Sequence, residues 1–181
     1  MNRAVFLDRD GTIIKDRGDI RIIKKIEFYE YTFNCLRELQ YKFFLFIVTN
    51  QSGINKGVIT NNEIIKIHSF ILQRMNDNGV EIKEIYCCPH KEEELCSCRK
   101  PNSFFLEQAK KKYLLNLTES YVIGDHPSDM ELAINSKANG IFLLTGHGRK
   151  HSNDLNTYNK DKIKVCRNLY YATKTILKLN K

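Results

Sequence analysis

Two aspartates stand two positions apart at the end of an apolar run, where Ala4-Val5-Phe6-Leu7 leads into Asp8-Arg9-Asp10-Gly11-Thr12. Apolar residues followed at once by acids and a glycine read as a buried strand that stops in a polar loop. In parallel sheets, ligands bind at that end of a strand. A carboxylate there can attack phosphorus to give an aspartyl phosphate, and a second one can handle the leaving group's proton. Ordinary loop carboxylates after a core strand would look the same, so the rest of the chain has to decide.

Two later strand ends offer partners: Thr49 and Asn50 after Phe43-Phe44-Leu45-Phe46-Ile47-Val48, and Asp125 with Asp129 after Tyr121-Val122-Ile123-Gly124. Such groups can converge where the winding of the sheet reverses. Phosphate-monoester hydrolysis demands up to ~10²¹-fold acceleration, more than one carboxylate supplies. Positioning and charge neutralisation must provide most of it. A cluster of aspartates repels phosphate unless a hard cation stands between them, and magnesium suits oxygen ligands of this kind.

A second constellation is Cys88-Pro89-His90 with Cys96-Ser97-Cys98, three thiols and an imidazole suited to tetrahedral zinc. A closed set of four leaves no open position, so the expected role is structural: pinning a loop, about 87–98, that runs straight into Arg99 and Lys100. Free thiols clustered by chance are the alternative. Cys87 is spare, since its side chain points away from Cys88 if the strand continues there. Cys35 and Cys166 read as core residues.

The elements that must position these groups follow from periodicity. A helix is expected from Thr32 to about Tyr41, and a strand buried on both faces over 43–48. A long helix opens with the Thr60/Glu63 capping box and closes at Asn78-Gly79, with His68 on its face rather than acting as a ligand. A third strand covers about Glu81 to Tyr86, and a helix about Ser103 to Tyr113. A fourth strand at 121–123 precedes a helix with Ser128 as N-cap and a course marked by Met130, Ala133, Ile134 and Lys137. A fifth strand spans 140–144, a polar stretch runs from Ser152 to Lys162, and a last helix uses Leu169, Ala172, Thr173 and Ile176. The segment around Phe28 and Tyr29 is expected to reach over the site opening. Alternation at this spacing predicts an α/β fold: a three-layer, Rossmann-like, doubly wound and mostly parallel sheet with a small zinc-binding loop insertion, in one domain over residues 1–181.

Composition narrows the field. The net charge of +8 is scattered except at Lys110-Lys111-Lys112 and the C-terminal end, which reads as a solvated basic face rather than a nucleic-acid track. No apolar run reaches the length of a membrane span, and no signal-peptide pattern precedes the first strand. The expectation is a cytoplasmic monomer with neither a membrane nor a nucleic-acid partner.

The four motifs Asp8-Arg9-Asp10-Gly11-Thr12, Thr49-Asn50-Gln51-Ser52-Gly53, Arg99-Lys100-Pro101 and Gly124-Asp125-His126-Pro127-Ser128-Asp129 resemble, in order, those of the haloacid dehalogenase (HAD) superfamily of phosphatases. More narrowly, residues 3–150 resemble its histidinol-phosphate and heptose-bisphosphate phosphatase group, whose members carry zinc in a loop before Arg-Lys-Pro. The resemblance implies Asp8 as nucleophile and Asp10 as general acid and base. It implies magnesium on Asp8, Asp125 and the Asp10 carbonyl, phosphoryl binding by the Thr49 hydroxyl, nearby backbone N–H groups and Lys100, and support from Asp129 behind the site. Asn50 joins the substrate-binding set. His126 departs from the pattern, standing where a lysine or arginine is expected, and is only partly charged near neutrality. Arg99 can hold a second anion of the substrate, which favours a bisphosphate. The expected reaction is removal of the 7-phosphate of D-glycero-D-manno-heptose 1,7-bisphosphate in nucleotide-heptose and surface polysaccharide synthesis. Histidinol phosphate is the alternative substrate; a zinc-bearing nucleic-acid module or a polynucleotide 3′-phosphatase is the alternative class.

Overall fold

The chain, seen in a computed structural model that describes residues 1–157 and 162–180, forms one parallel sheet of six strands. The strands are β1 (Ala4–Leu7), β2 (Phe44–Asn50), β3 (Ile82–Cys88), β4 (Tyr121–Gly124), β5 (Asn139–Leu143) and β6 (Ile163–Cys166). They are ordered β3-β2-β1-β4-β5-β6, and every pairing among them is parallel. The helices are α1 (Thr32–Gln40), α2 (Asn61–Asp77), α3 (Phe104–Tyr113), α4 (Pro127–Asn135), the single turn α5 (Gly148–His151) and α6 (Leu169–Leu179).

Side-chain alternation along β1 shows why its run is apolar throughout. Val5 and Leu7 face a core built with Leu36 and Leu39 of α1, Ile67 and Ile71 of α2, and Leu169 and Ile176 of α6. Ala4 and Phe6 face the opposite core, with Leu106 and Ala109 of α3 and Leu132 of α4. Both faces are covered, which gives the three layers expected. Winding reverses between β1 and β4, adjacent strands whose ends carry Asp8 and Asp125. That crevice is where such sheets bind ligands.

Several boundaries differ from the sequence expectation. The sheet has a sixth strand at its edge, Ile163–Cys166, directly after the polar stretch, of which residues 158–161 lie outside the described residues. β3 runs on through Cys87 and Cys88, beyond Tyr86. α4 is capped by His126, not Ser128: Pro127 takes the first helical position, where its missing N–H costs nothing. Lys137 lies past the end of that helix with φ +61°, and Ile134 is 43% exposed. The Thr60/Glu63 capping box is present at the head of α2. Phe28 bridges to Ile14, and Tyr29 joins Gly146 and His147 around a cleft of about 510 Å³ at the site opening. Among the described residues, no helix is long and apolar enough to cross a membrane.

Candidate active site

The ends of β1, β2 and β4 meet on the Lys100 ammonium. Lys100 Nζ donates to Asp8 Oδ1 at 2.5 Å, to Asp129 Oδ1 at 2.7 Å and to the Val48 carbonyl at 3.1 Å. Three partners use all three of its protons. Burial disfavours the charge, but Asp129 and Asp8 outweigh it and raise the Lys100 pKa above its ordinary value. Asp129 is itself buried, and its Oδ2 accepts from the His126 backbone N–H at 3.1 Å.

One ammonium faces too many acids. Burial pushes the Asp8 carboxyl up to about 6, with Lys100 opposing and Asp129 adding to the rise. Asp125 is pushed up to about 8 by burial and then by the charges of Asp8 and Asp129. Its Oδ2 accepts from the His147 N–H at 2.7 Å. Two glycines make room for that carboxylate: a Cβ at Gly11 (φ +81°) or Gly146 (φ +49°) would run into it. Thr145 ties the same loop down by donating to the Gly11 carbonyl at 2.6 Å. The loop 145–147 thus holds Asp125.

Asp10 is held differently. Its Oδ2 accepts from Arg9 Nε at 2.9 Å and Gln51 Nε2 at 3.0 Å, while its buried Oδ1 has no partner among the described residues. Burial raises the Asp10 pKa and the Arg9 charge opposes it. Gln51 Nε2 also donates to Thr49 Oγ1 at 2.8 Å, leaving the buried Thr49 hydroxyl proton for another acceptor. Arg9, Gln51 and His68 were not singled out for the site. Arg9 lies between two acids at a strand end, and His68 lies four residues after Ile64 and three before Ile71 on the buried stripe of α2. Those placements are the available signals.

Other expected binding residues differ in detail. Asn50 has both polar side-chain atoms engaged with the Lys100 backbone, accepting from its N–H at 3.0 Å and donating to its carbonyl at 3.2 Å. It clamps the Arg99-Lys100 segment rather than presenting a free amide. His126 lines a cleft of about 410 Å³ with Asn50, Arg99, Lys100 and Ser128. Its Nδ1 accepts from the Ser128 N–H at 3.3 Å, and burial followed by the charges of His151 and Lys100 lowers its pKa. The ring thus caps α4, and its surroundings weaken the positive charge further below that of a free imidazole. Arg99 Nη1 donates to the His90 carbonyl at 3.1 Å, joining this cleft to the cysteine loop.

Cys88, His90, Cys96 and Cys98 offer ligand atoms within 4.8 Å of one another and could hold a metal ion. Cys96 Sγ also accepts from the Arg99 N–H at 3.3 Å, so the loop hands its geometry on to Arg99 and Lys100. Cys87, on the other side of β3, is not in the cluster.

A family model described as HAD-hydrolase-like matches residues 97–172. A D-glycero-beta-D-manno-heptose-1,7-bisphosphate 7-phosphatase of Helicobacter pylori (strain J99) is 38% identical over 148 residues, covering 80% of this chain and 84% of that protein. The D-glycero-alpha-D-manno-heptose-1,7-bisphosphate 7-phosphatase of Campylobacter jejuni is 36% identical over 78% of this chain and 82% of its own length. A D,D-heptose 1,7-bisphosphate phosphatase from B. bronchiseptica, solved with magnesium and phosphate, shares the fold at TM-score 0.89 and 23% identity, covering 98% of this chain and 99% of that one. Similarity of this extent, over a sheet whose strand ends gather the four sequence motifs, makes the chain a phosphatase that belongs to the heptose-1,7-bisphosphate 7-phosphatase family of HAD-like hydrolases.

Proposed function

We propose that the chain is a magnesium-dependent phosphomonoester hydrolase that removes the 7-phosphate of D-glycero-D-manno-heptose 1,7-bisphosphate through an aspartyl phosphate on Asp8. The observation that carries the reading is the Lys100 ammonium joined to both Asp8, just after β1, and Asp129, in the first turn of α4, residues far apart in sequence. In this reading an Asp8 oxygen attacks phosphorus, and the bond from phosphorus to the sugar oxygen breaks as Asp10 delivers a proton from Oδ1. Asp10 then takes a proton from the water that cleaves the acyl phosphate, returning Asp8 and inorganic phosphate. The Thr49 hydroxyl and nearby backbone N–H groups hold the transferring phosphoryl group, and the Lys100 charge neutralises it. Arg99 and His126, along the neighbouring cleft, are assigned to the remainder of the substrate.

The donor set fits magnesium. Asp8 and Asp125, with the Asp10 carbonyl, are hard oxygen ligands, and burial, joined by the neighbouring carboxylates, raises both carboxyl pKa values, a cost that a bound cation would offset. Bound there, the ion would screen the phosphoryl oxygens from the carboxylates. The cysteine cluster fits zinc: its Sγ–Sγ separations of 3.2, 3.6 and 3.7 Å lie at or somewhat below the edge, about 3.8 Å, of a tetrahedron with Zn–S near 2.3 Å. We read that ion as structural, and the compartment as the cytoplasm, where such thiols stay reduced.

The test is phosphate release, with magnesium, from both anomers of heptose 1,7-bisphosphate, histidinol phosphate and a 3′-phosphorylated oligonucleotide. Wild type should favour one heptose anomer by an order of magnitude or more in kcat/KM, and Asp8→Asn should release nothing. Preference for histidinol phosphate or the oligonucleotide would overturn the substrate assignment. Release that survives Asp8→Asn would overturn the mechanism.

A further inference from the structure

The asymmetry at Asp10 has a source outside the four motifs. Since Oδ2 is saturated by Arg9 and Gln51 while Oδ1 accepts nothing, a proton on this carboxyl sits on Oδ1. Arg9 imposes that choice only if its guanidinium cannot turn. Its side chain is wholly buried, Nη2 donates to Gln51 Oε1 at 2.8 Å, and Nη1 lies 3.3 Å from His68 Nε2. A guanidinium only donates, so that His68 nitrogen must be the bare, accepting one and the ring neutral. Burial and then Arg9 lower the His68 pKa to about 4, which agrees with a neutral ring. His68 projects from α2, an element that contributes none of the four motifs.

We infer that His68 is a positioning residue for proton transfer: by accepting from Arg9 Nη1 it locks the guanidinium, which in turn keeps Oδ1 of Asp10 free and aimed at the leaving oxygen. The inference rests on the reading of Asp10 as general acid. Without the acceptor, Arg9 keeps a buried donor unpaired and turns to find another partner, and Asp10 turns with it. Misplacement of the acid matters only where the leaving oxygen needs a proton. As the phosphorus–oxygen bond breaks, its electron pair goes to that oxygen. An alkoxide must be protonated by Asp10, whereas nitrophenolate departs as the anion.

Leaving-group dependence therefore separates positioning from general damage. The metal-loaded enzyme would be assayed in single turnovers for release of the alcohol from heptose 1,7-bisphosphate and of nitrophenolate from p-nitrophenyl phosphate. His68→Met, or His68→Phe where the first does not fold, should slow the sugar ester roughly ten- to a hundred-fold with KM unchanged. The nitrophenyl ester should change less than about two-fold, since it needs no acid. His68→Gln, which restores a carbonyl acceptor, should recover most of the loss. Equal losses on both esters, no loss on either, or no recovery with glutamine would overturn the inference. If wild type turns over neither ester, the phosphatase reading itself fails and this inference falls with it.

Discussion

Asp8, Asp10, Thr49, Asp125 and Asp129 stand out in the sequence because each follows an apolar strand closely, and Lys100 because Arg99-Lys100-Pro101 resembles a family motif. Arg9, Gln51 and His68 could not, because their meaning lies in a contact between a strand end and a helix face separated by 59 positions. His126 was visible as an oddity, but its use as a helix cap depends on the path taken at Pro127. The His68 environment has a consequence for stability. An unfolded imidazole takes a proton below about 6.5, whereas burial and Arg9 delay protonation in the folded chain to about 4. Between those values the unfolded state binds more protons, so stability falls as pH falls from about 6.5 to about 4 and levels off below. The loss is on the order of 2–3 kcal/mol. Between pH 7 and pH 4.5 the unfolding free energy from urea titrations should fall further for wild type than for His68→Gln by about that amount, at matched metal concentrations.

At the scale of elements, β1, β2 and β4 were legible as continuous apolar runs, because strands covered on both faces have nothing polar to interrupt them. β6 was not legible. It is four residues long, Val165 is 53% exposed, and lysines at 162 and 164 break up its apolar pattern. An edge strand needs only one partner, so its sequence carries less of the pattern. The cysteine loop was legible as a ligand set, and its coupling to the site became visible only through Arg99 and the Asn50 clamp. Stripping the cluster metal with a zinc-selective chelator, magnesium being kept in excess, should therefore cut kcat at least ten-fold. Far-UV circular dichroism should keep most of its amplitude, because neither core includes the segment after Cys88 that supplies the other three ligands. Undiminished activity in metal-stripped protein would contradict the coupling.

For the molecule as a whole, α6 is part of the principal core: Leu169, Ala172 and Ile176 are fully buried against residues of β1 and α1. Asn180 adds bonds to Arg3 at 2.8 Å and to Tyr121 at 2.9 Å, closing the two ends of the chain against each other. We expect the chain to unfold in one cooperative step, with tyrosine fluorescence and circular dichroism coinciding. Leu169→Ala should lower stability by about 2–5 kcal/mol with KM unchanged, because it empties the core far from the strand ends. The net positive surface conceals an acidic centre in which Asp8, Asp125 and Asp129 crowd one ammonium. Burial and mutual repulsion raise the pKa values of Asp125 and Asp8, so without a cation both carboxyls hold their protons to higher pH than a free carboxylate does. A cation joining those two carboxylates competes with the protons they hold, so its binding tightens as the solution becomes more alkaline. The order of arrival follows: once ionised, those carboxylates repel a phosphate dianion, and a metal charge set between them turns that repulsion into attraction.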